Sequence, residues 1–185
     1  MINEKSGDEA KYVNLALDRF AEGIGLGSIH EQQFYAIRAN GQELRFPFTE
    51  RPFTALVHMP QSVDDALLAS YAKELVKHGC VQAVCRGEDS DRMVDIFDAL
   101  AERGDHDSGN APFTSMCLGD EPLREAIQYF ILPCGLAQTG LLMVIGESGD
   151  FDGAIADFLG SAGSITEGIG EPVYTEENLV CFSAM

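Results

Sequence analysis

One stretch constrains the fold more than any other: residues 53–87 read as a strand, a helix and a second strand, the length that one βαβ unit needs. Phe53–Met59 is an almost continuous apolar run, as expected of a strand buried on both faces of a parallel sheet. Pro60 ends that run, and Ser62 is the expected N-cap of an amphipathic helix. Gly79 suits the position just after the helix, and Cys80–Cys85 is the second strand.

Strands and helices continue to alternate downstream, with further apolar runs at 114–118 and 141–145 and helical patterns between and after them. This order predicts an α/β fold, a three-layer arrangement in which a mostly parallel sheet carries helices on both faces. It is similar to Rossmann-like and flavodoxin-like domains, although no family motif accompanies the similarity. At 185 residues the chain is expected to form one domain, residues 1–185.

The two ends of the chain are predicted to be additions to an α/β core at 53–159. In the 1–52 segment, a capping-box pattern at 6–9 and a following apolar stripe predict an N-terminal helix. Residues 23–28 are interpreted as a flexible glycine connector, and Asn40-Gly41 predicts a β-hairpin that joins 34–38 to 43–46. The 160–185 segment is interpreted as a Gly-rich loop followed by a C-terminal strand.

The chain is strongly acidic, with a formal net charge of −18. Residues 1–52 contain six Lys/Arg and eight Asp/Glu, whereas residues 53–185 contain six and twenty-two. Such a balance argues against binding to nucleic acid or to an anionic membrane surface, both of which attract Lys and Arg. The acidic charge is compatible with a basic protein partner, and the sequence is also compatible with a homodimer.

Cysteine usage and the N-terminus indicate the compartment. The five cysteines are an odd number, and most lie in or beside apolar runs, as buried reduced thiols do. The first twelve residues contain no apolar signal core. The expectation is a cytoplasmic protein.

Candidate site residues follow from a rule of open α/β sheets, in which ligands bind outside the carboxyl ends of the strands. The predicted strand ends, and the turns after them, bring together seven candidates for ligand binding: His58, Cys85, Arg86, Asp120, Glu147, Ser148 and Asp150.

Three chemistries are open to these residues. Asp120, Glu147 and Asp150 are oxygen ligands of the kind that Mg²⁺ takes, and Arg86 would then hold a phosphate. His58, Cys85 and Cys117 suit a zinc site, although no C-x-x-C spacing supports it, and His58 and Cys85 alone suit a base and its nucleophile.

The third chemistry belongs to the turn at 146–150, which joins a buried strand to a helix. Its backbone N–H groups suit an anion, but it matches neither a P-loop nor a nucleophile elbow. For each of the three chemistries, an ordinary structural role of the same residues is the competing interpretation.

Two functions therefore stand. The first is a protein-interaction or regulatory module, of the inhibitor or immunity-protein kind, which neutralises a basic partner. The alternative is a divalent-metal-dependent enzyme that acts on a phosphorylated small molecule at the strand ends. The sequence does not decide whether the chain is an enzyme, and it predicts no cofactor beyond Mg²⁺ for the second function.

Overall fold

The computed structural model describes residues 13–14, 18–19, 23–29, 32–41, 43–49, 51–103, 113–131 and 137–167. Within these residues the chain forms an eight-stranded sheet with helices on both faces. Its strands are β1 (Val13–Asn14), β2 (Asp18–Arg19), β3 (Ile24–Ile29), β4 (Gln32–Ala39), β5 (Phe53–Met59), β6 (Cys80–Gly87), β7 (Thr114–Cys117) and β8 (Thr139–Ile145). Its helices are α1 (Asp65–Lys77), α2 (Ser90–Glu102), α3 (Leu123–Ile131) and α4 (Ser148–Glu167).

The strand order is β1-β3-β4-β8-β5-β6-β7, and β2 also pairs with β3. Strands β4, β8, β5, β6 and β7 run parallel to one another, whereas β1 and β2 are antiparallel to β3, and β3 to β4. The predicted α/β class with a mostly parallel sheet is therefore confirmed.

Burial explains the apolar runs that predicted the central strands. All seven residues of β5 and all seven of β8 are buried, because helices cover both faces of the sheet. Helices α1 and α2 pack on one face around Leu75 and Phe97, and α3 and α4 pack on the other around Phe130 and Phe158. None of the helices in the described ranges has the length and apolarity needed to cross a bilayer.

The connections create one topological switch point. From β5 the chain moves outward through α1, β6 and α2 to β7, and then returns by α3 to place β8 on the opposite side of β5. Strands β5 and β8 are neighbours, yet α1 follows β5 on one face and α4 follows β8 on the other. The carboxyl ends of β5 and β8 therefore mark a topological switch point, which is where ligands bind in open α/β sheets.

The N-terminal predictions fail where the structure can be compared with them. Residues 13–14 and 18–19 are strands and not helix, and the predicted connector is mostly strand β3, which has a register shift between Gly25 and Gly27. Sheet pairing outweighs a local helical pattern here, because β3 finds a partner in β4. The capping-box pattern lies outside the described residues.

The hairpin at Asn40-Gly41 is wrong as well. The chain bends there, with Gly41 at φ +84°, but residues 43–49 do not form a strand. The Gly41 N–H instead donates to the Tyr71 hydroxyl at 2.7 Å. Strand β4 pairs in parallel with β8 in the middle of the sheet, so the 1–52 segment supplies a central strand and not an edge addition.

Two further boundaries differ. The N-cap of α1 is Asp64, whose carboxylate accepts from the Ala66 N–H at 3.0 Å, whereas the Ser62 hydroxyl donates to Asp89 at 3.1 Å. Helix α4 continues to Glu167 through residues predicted to begin a glycine-rich loop. The predicted C-terminal strand lies outside the described residues.

Candidate functional site

The loops that follow β5, β6 and β8 pack closely against one another. At Gly87, with φ +111°, a Cβ would lie 1.8 Å from the Met59 carbonyl oxygen, so β6 ends directly against β5. That same oxygen accepts the Glu88 N–H at 3.0 Å. At Gly146, at the end of β8, a Cβ would lie 3.1 Å from the Pro60 ring. Glycine at 87 and 146 therefore allows the three strand ends to meet.

His58 and Arg86 form the polar centre of this edge. They are register partners on adjacent parallel strands, and both point toward the α3/α4 face. Arg86 Nη1 lies 3.2 Å from His58 Nδ1, and Arg86 Nε donates to the Glu121 carbonyl oxygen at 2.8 Å. A guanidinium only donates, so His58 Nδ1 accepts and the proton of the neutral ring is on Nε2. Arg86 Nη2 makes no hydrogen bond within the described residues.

His58 is kept neutral by its surroundings. Burial, followed by the neighbouring Arg86 guanidinium, lowers the pKa of His58 from 6.5 to about 4. A backbone hydrogen bond at Arg86 and the carboxylates of Asp150 and Asp157 act in the opposite direction, and they are outweighed. At neutral pH the pair is thus an uncharged imidazole beside a permanent cation.

Helix α4 supplies the carboxylates of this cluster. Asp150 accepts the Glu147 N–H at 3.0 Å, which caps the start of the helix. About two turns further along the helix, Asp157 pairs with Arg124 of α3 at 3.2 Å. Arg124 and Asp157 were not among the sequence candidates because both lie inside helices, where strand-end reasoning has no signal.

The structure separates Cys85 from His58. Cys85 lies in the core between the sheet and helices α1 and α2, whereas His58 faces helix α4 across the opposite side of the sheet. Burial raises the pKa of the Cys85 thiol far above its usual range. Cys85 is the register partner of Val57, the neighbour of His58 on β5, and successive side chains along a strand face opposite sides of the sheet. The hypothesis that His58 activates Cys85, and the zinc set that includes both residues, are therefore wrong.

The remaining candidates lie at the surface. Asp120, Glu147 and Ser148 are exposed in the turn after β7 and at the start of α4. Within the ranges that the structure describes, no three His, Cys, Asp or Glu side chains are grouped to hold a metal ion. Of the seven candidates, the structure thus brings together His58, Arg86 and Asp150.

A second surface, which the sequence analysis did not single out, lies along helix α2. Its four carboxylates recur at helical spacing and are all exposed: Asp91, Asp95, Asp98 and Glu102. We call them the acidic stripe. Asp98 accepts the Ser115 hydroxyl at 2.7 Å, and Asp91 accepts the Cys117 thiol at 2.9 Å. Because Ser115 and Cys117 belong to β7, the acidic stripe borders the edge of the sheet.

The cation of α2 does not neutralise the acidic stripe. Arg92 instead pairs with Asp89, directly before α2, and with Asp65 at the start of α1. Asp89 is buried, and its carboxylate also accepts the Val63 N–H at 2.5 Å. These bonds tie the start of α1 to the start of α2 and leave the four stripe carboxylates without an ion-pair partner in the described part of the chain.

Comparison with known protein families identifies a match over the middle of the chain. The family model described as "Domain of unknown function (DUF7684)" matches residues 34–137, which is 104 of the 185 residues. The matched range begins in β4 and includes β5, β6, both arms of the His58–Arg86 pair and the acidic stripe. Searches of the curated proteins and of the solved structures found no match.

Proposed function

Since the chain belongs to this family of domains of unknown function, we propose its function from the geometry: it is a protein-interaction module that binds a basic segment of a partner. The observation that carries the proposal is the acidic stripe beside strand β7. Of the described strands, β7 pairs with β6 alone, so no described strand covers its outer backbone groups, to which an added strand could pair.

Charge and edge act together in this arrangement. An extended segment that pairs with β7 would place every second side chain near α2, where Asp91, Asp95, Asp98 and Glu102 present four negative charges. The backbone hydrogen bonds would supply affinity, whereas Lys or Arg at alternate positions would supply selectivity and a fast, salt-dependent association. A regulatory role of the inhibitor kind is the form of this function that suits a chain with a net charge of −18.

The test uses an extended peptide of alternating Lys and Val as the probe and its Glu and Val counterpart as the control. The informative variant is Asp95→Asn with Glu102→Gln, because both side chains are exposed and neither makes a hydrogen bond within the described residues. A matched variant, Glu125→Gln with Asp152→Asn, removes two charges from the α3/α4 layer.

We expect the stripe variant to weaken binding of the Lys-Val peptide about fivefold at low salt, and the matched variant to leave it nearly unchanged. Calorimetry in about 50 mM and about 300 mM salt should show weaker binding at the higher concentration. Equal losses in both variants would mean that net charge alone attracts the peptide, and the proposal would then be abandoned.

A second candidate is supported by the His58–Arg86 pair at the switch point: a divalent-metal-dependent enzyme that acts on a phosphorylated small molecule. In this candidate Arg86 holds the phosphate, and Mg²⁺ arrives with the substrate phosphates, held by one or two carboxylates such as Asp150 and Glu147. The neutral His58 orients the guanidinium.

Thermal unfolding with phosphorylated metabolites, each with and without Mg²⁺ or Mn²⁺, tests this second candidate. A ligand at one hundred times its dissociation constant adds about 2.7 kcal/mol to the free energy of unfolding. The shift should disappear in Arg86→Gln and persist in Arg38→Gln, which removes an exposed arginine on β4. Absence of a shift with any combination would count against the candidate.

A further inference from the structure

A groove lies at the end of the sheet opposite to the switch point. It has a volume of about 370 Å³ and is lined by the segment after β4, by the residue before Pro52 and by the residue that ends α1. The lining residues are Leu44, Arg45, Phe46, Phe48, Thr49, Arg51 and His78. Its volume is that of a small-molecule site.

Two arginines line the groove in a chain that is strongly acidic. Arg45 and Arg51 are both exposed, and neither forms an ion pair with a carboxylate of the described residues. By contrast, Lys77, Arg92 and Arg124 are each paired with an acid. Two guanidinium groups that pair with no carboxylate of the described residues can attract an anion to this groove, because planar guanidinium forks match carboxylate and phosphate oxygens.

Local packing holds Arg51 in place. Gly79 has φ +94°, and a Cβ at this position would lie 3.0 Å from the Arg51 side chain. The aliphatic part of Arg51 thus lies across a residue with no side chain, directly after the end of α1. Its guanidinium is presented from a packed stem and loses less freedom when it binds an anion.

Aromatic rings form the wall of the groove. The Phe46 ring stacks on the His78 ring with centroids 4.3 Å apart, and it meets Phe48 at 5.9 Å. Phe46 and Phe48 are half-buried, and Phe53 supports both from the core, at 5.8 and 5.1 Å. His78 Nδ1 lies 2.8 Å from the Glu74 carbonyl oxygen, which fixes the orientation of the ring. A preformed aromatic wall favours a ligand that has a flat ring.

Glu74 of α1 lies beside His78, which lines the groove. Glu74 lies 3.3 Å from Lys77 Nζ and 3.6 Å from His78 Nδ1. Within α1, Lys77 thus pairs with this carboxylate. The groove therefore combines an aromatic surface with two arginines that have no ion-pair partner among the described residues.

From this combination we propose that the groove binds a small anion that has a flat ring, with Arg45 and Arg51 on the anionic group and the Phe46 wall against the ring. The site is distinct from the acidic stripe and from the His58–Arg86 pair. The groove would bind an anion, whereas the acidic stripe would bind cations. The groove also lies at the opposite end of the strands from the His58–Arg86 pair. A nucleoside monophosphate and an aromatic carboxylate share the required chemistry.

The probes are AMP and benzoate, with adenosine and inorganic phosphate as the separate halves of AMP. Binding is measured by calorimetry and by amide chemical shifts on the full chain. We expect AMP or benzoate to bind at one site, and Arg45→Gln or Arg51→Gln to weaken that binding about tenfold or more. Adenosine and phosphate should each bind at least about tenfold more weakly than AMP.

Two arginine variants serve as controls. Arg38→Gln removes an exposed cation from β4, where Arg38 lies on the same side of the sheet as Ala36, the side that α3 and α4 cover. Arg86→Gln removes the cation at the end of β6. Arg38→Gln should leave the affinity unchanged within about twofold. Arg86→Gln distinguishes a ligand in the groove from one at the strand ends.

Each other outcome overturns the proposal. If neither AMP nor benzoate saturates the protein below about 10 mM, the groove is not such a site. If Arg38→Gln weakens binding as much as Arg45→Gln, only diffuse charge is involved. If phosphate alone matches AMP, the ring has no role. If Arg86→Gln abolishes binding, the ligand occupies the strand ends instead, and the second candidate function gains the support.

Discussion

Protonation of His58 should destabilise the fold as the pH falls, and the structure sets the size of the effect. The folded protein holds the pKa of this ring at about 4, because the ring is buried beside Arg86, whereas an unfolded chain has a value near 6.5. Between these two values the unfolded state binds more protons than the folded state. The free energy of unfolding therefore decreases as the pH drops below about 6.5.

The magnitude follows from the two pKa values. Between pH 7 and pH 5, protonation of His58 in the unfolded chain alone should remove about 2 kcal/mol from the free energy of unfolding. Below about pH 4 the loss from this group stops growing, because the ring is then protonated in both states. The carboxylates also begin to titrate in this range, so the contribution of His58 has to be isolated by substitution.

Urea unfolding of the wild type and of His58→Gln, each at pH 7 and pH 5, isolates that contribution. Glutamine has no titration in this range, and its amide oxygen can still accept from Arg86. We expect the wild type to lose about 2 kcal/mol more than the variant between the two pH values. Equal losses, or an imidazole that titrates above pH 6 in the folded protein by NMR, would refute the argument from burial.

Two further predictions concern packing and thiol access. In a urea titration Gly87→Ala should destabilise the fold by more than about 2 kcal/mol, because its Cβ would lie 1.8 Å from the Met59 carbonyl oxygen. Gly149→Ala should be neutral or stabilising in the same titration, because no atom lies near a Cβ at that position. In the native protein a thiol reagent should modify exposed Cys117 quickly and buried Cys80 and Cys85 only after unfolding. Equal rates for Cys117 and Cys85 by mass spectrometry would contradict the burial of Cys85.

The central strands were predictable because strands that are buried on both faces consist of apolar residues. A strand covered on both faces has to be apolar throughout, and the runs at 53–59 and 141–145 have that property. The N-terminal strands had no such signature. Gly25 and Gly27 read as a connector, and they become part of β3 only because β4 offers its backbone as a partner.

The site was predictable only in part, for a related reason. The rule of strand ends places His58, Arg86 and Asp150 at one edge, and the structure brings them together. The strand-end rule does not predict which face of the sheet each side chain takes. Cys85 and Arg86 are neighbours on β6, and their side chains therefore lie on opposite faces. The groove was beyond prediction, because it depends on a loop after β4 folding back onto the end of α1.

The most direct test of the interaction function is to map the Lys-Val peptide on the isotopically labelled protein by amide chemical shifts and hydrogen exchange. We expect the largest changes, and new exchange protection, on Thr114–Cys117 of β7, with smaller changes along the acidic stripe from Asp91 to Glu102. Changes spread over acidic residues of α3 and α4, without protection at β7, would contradict it.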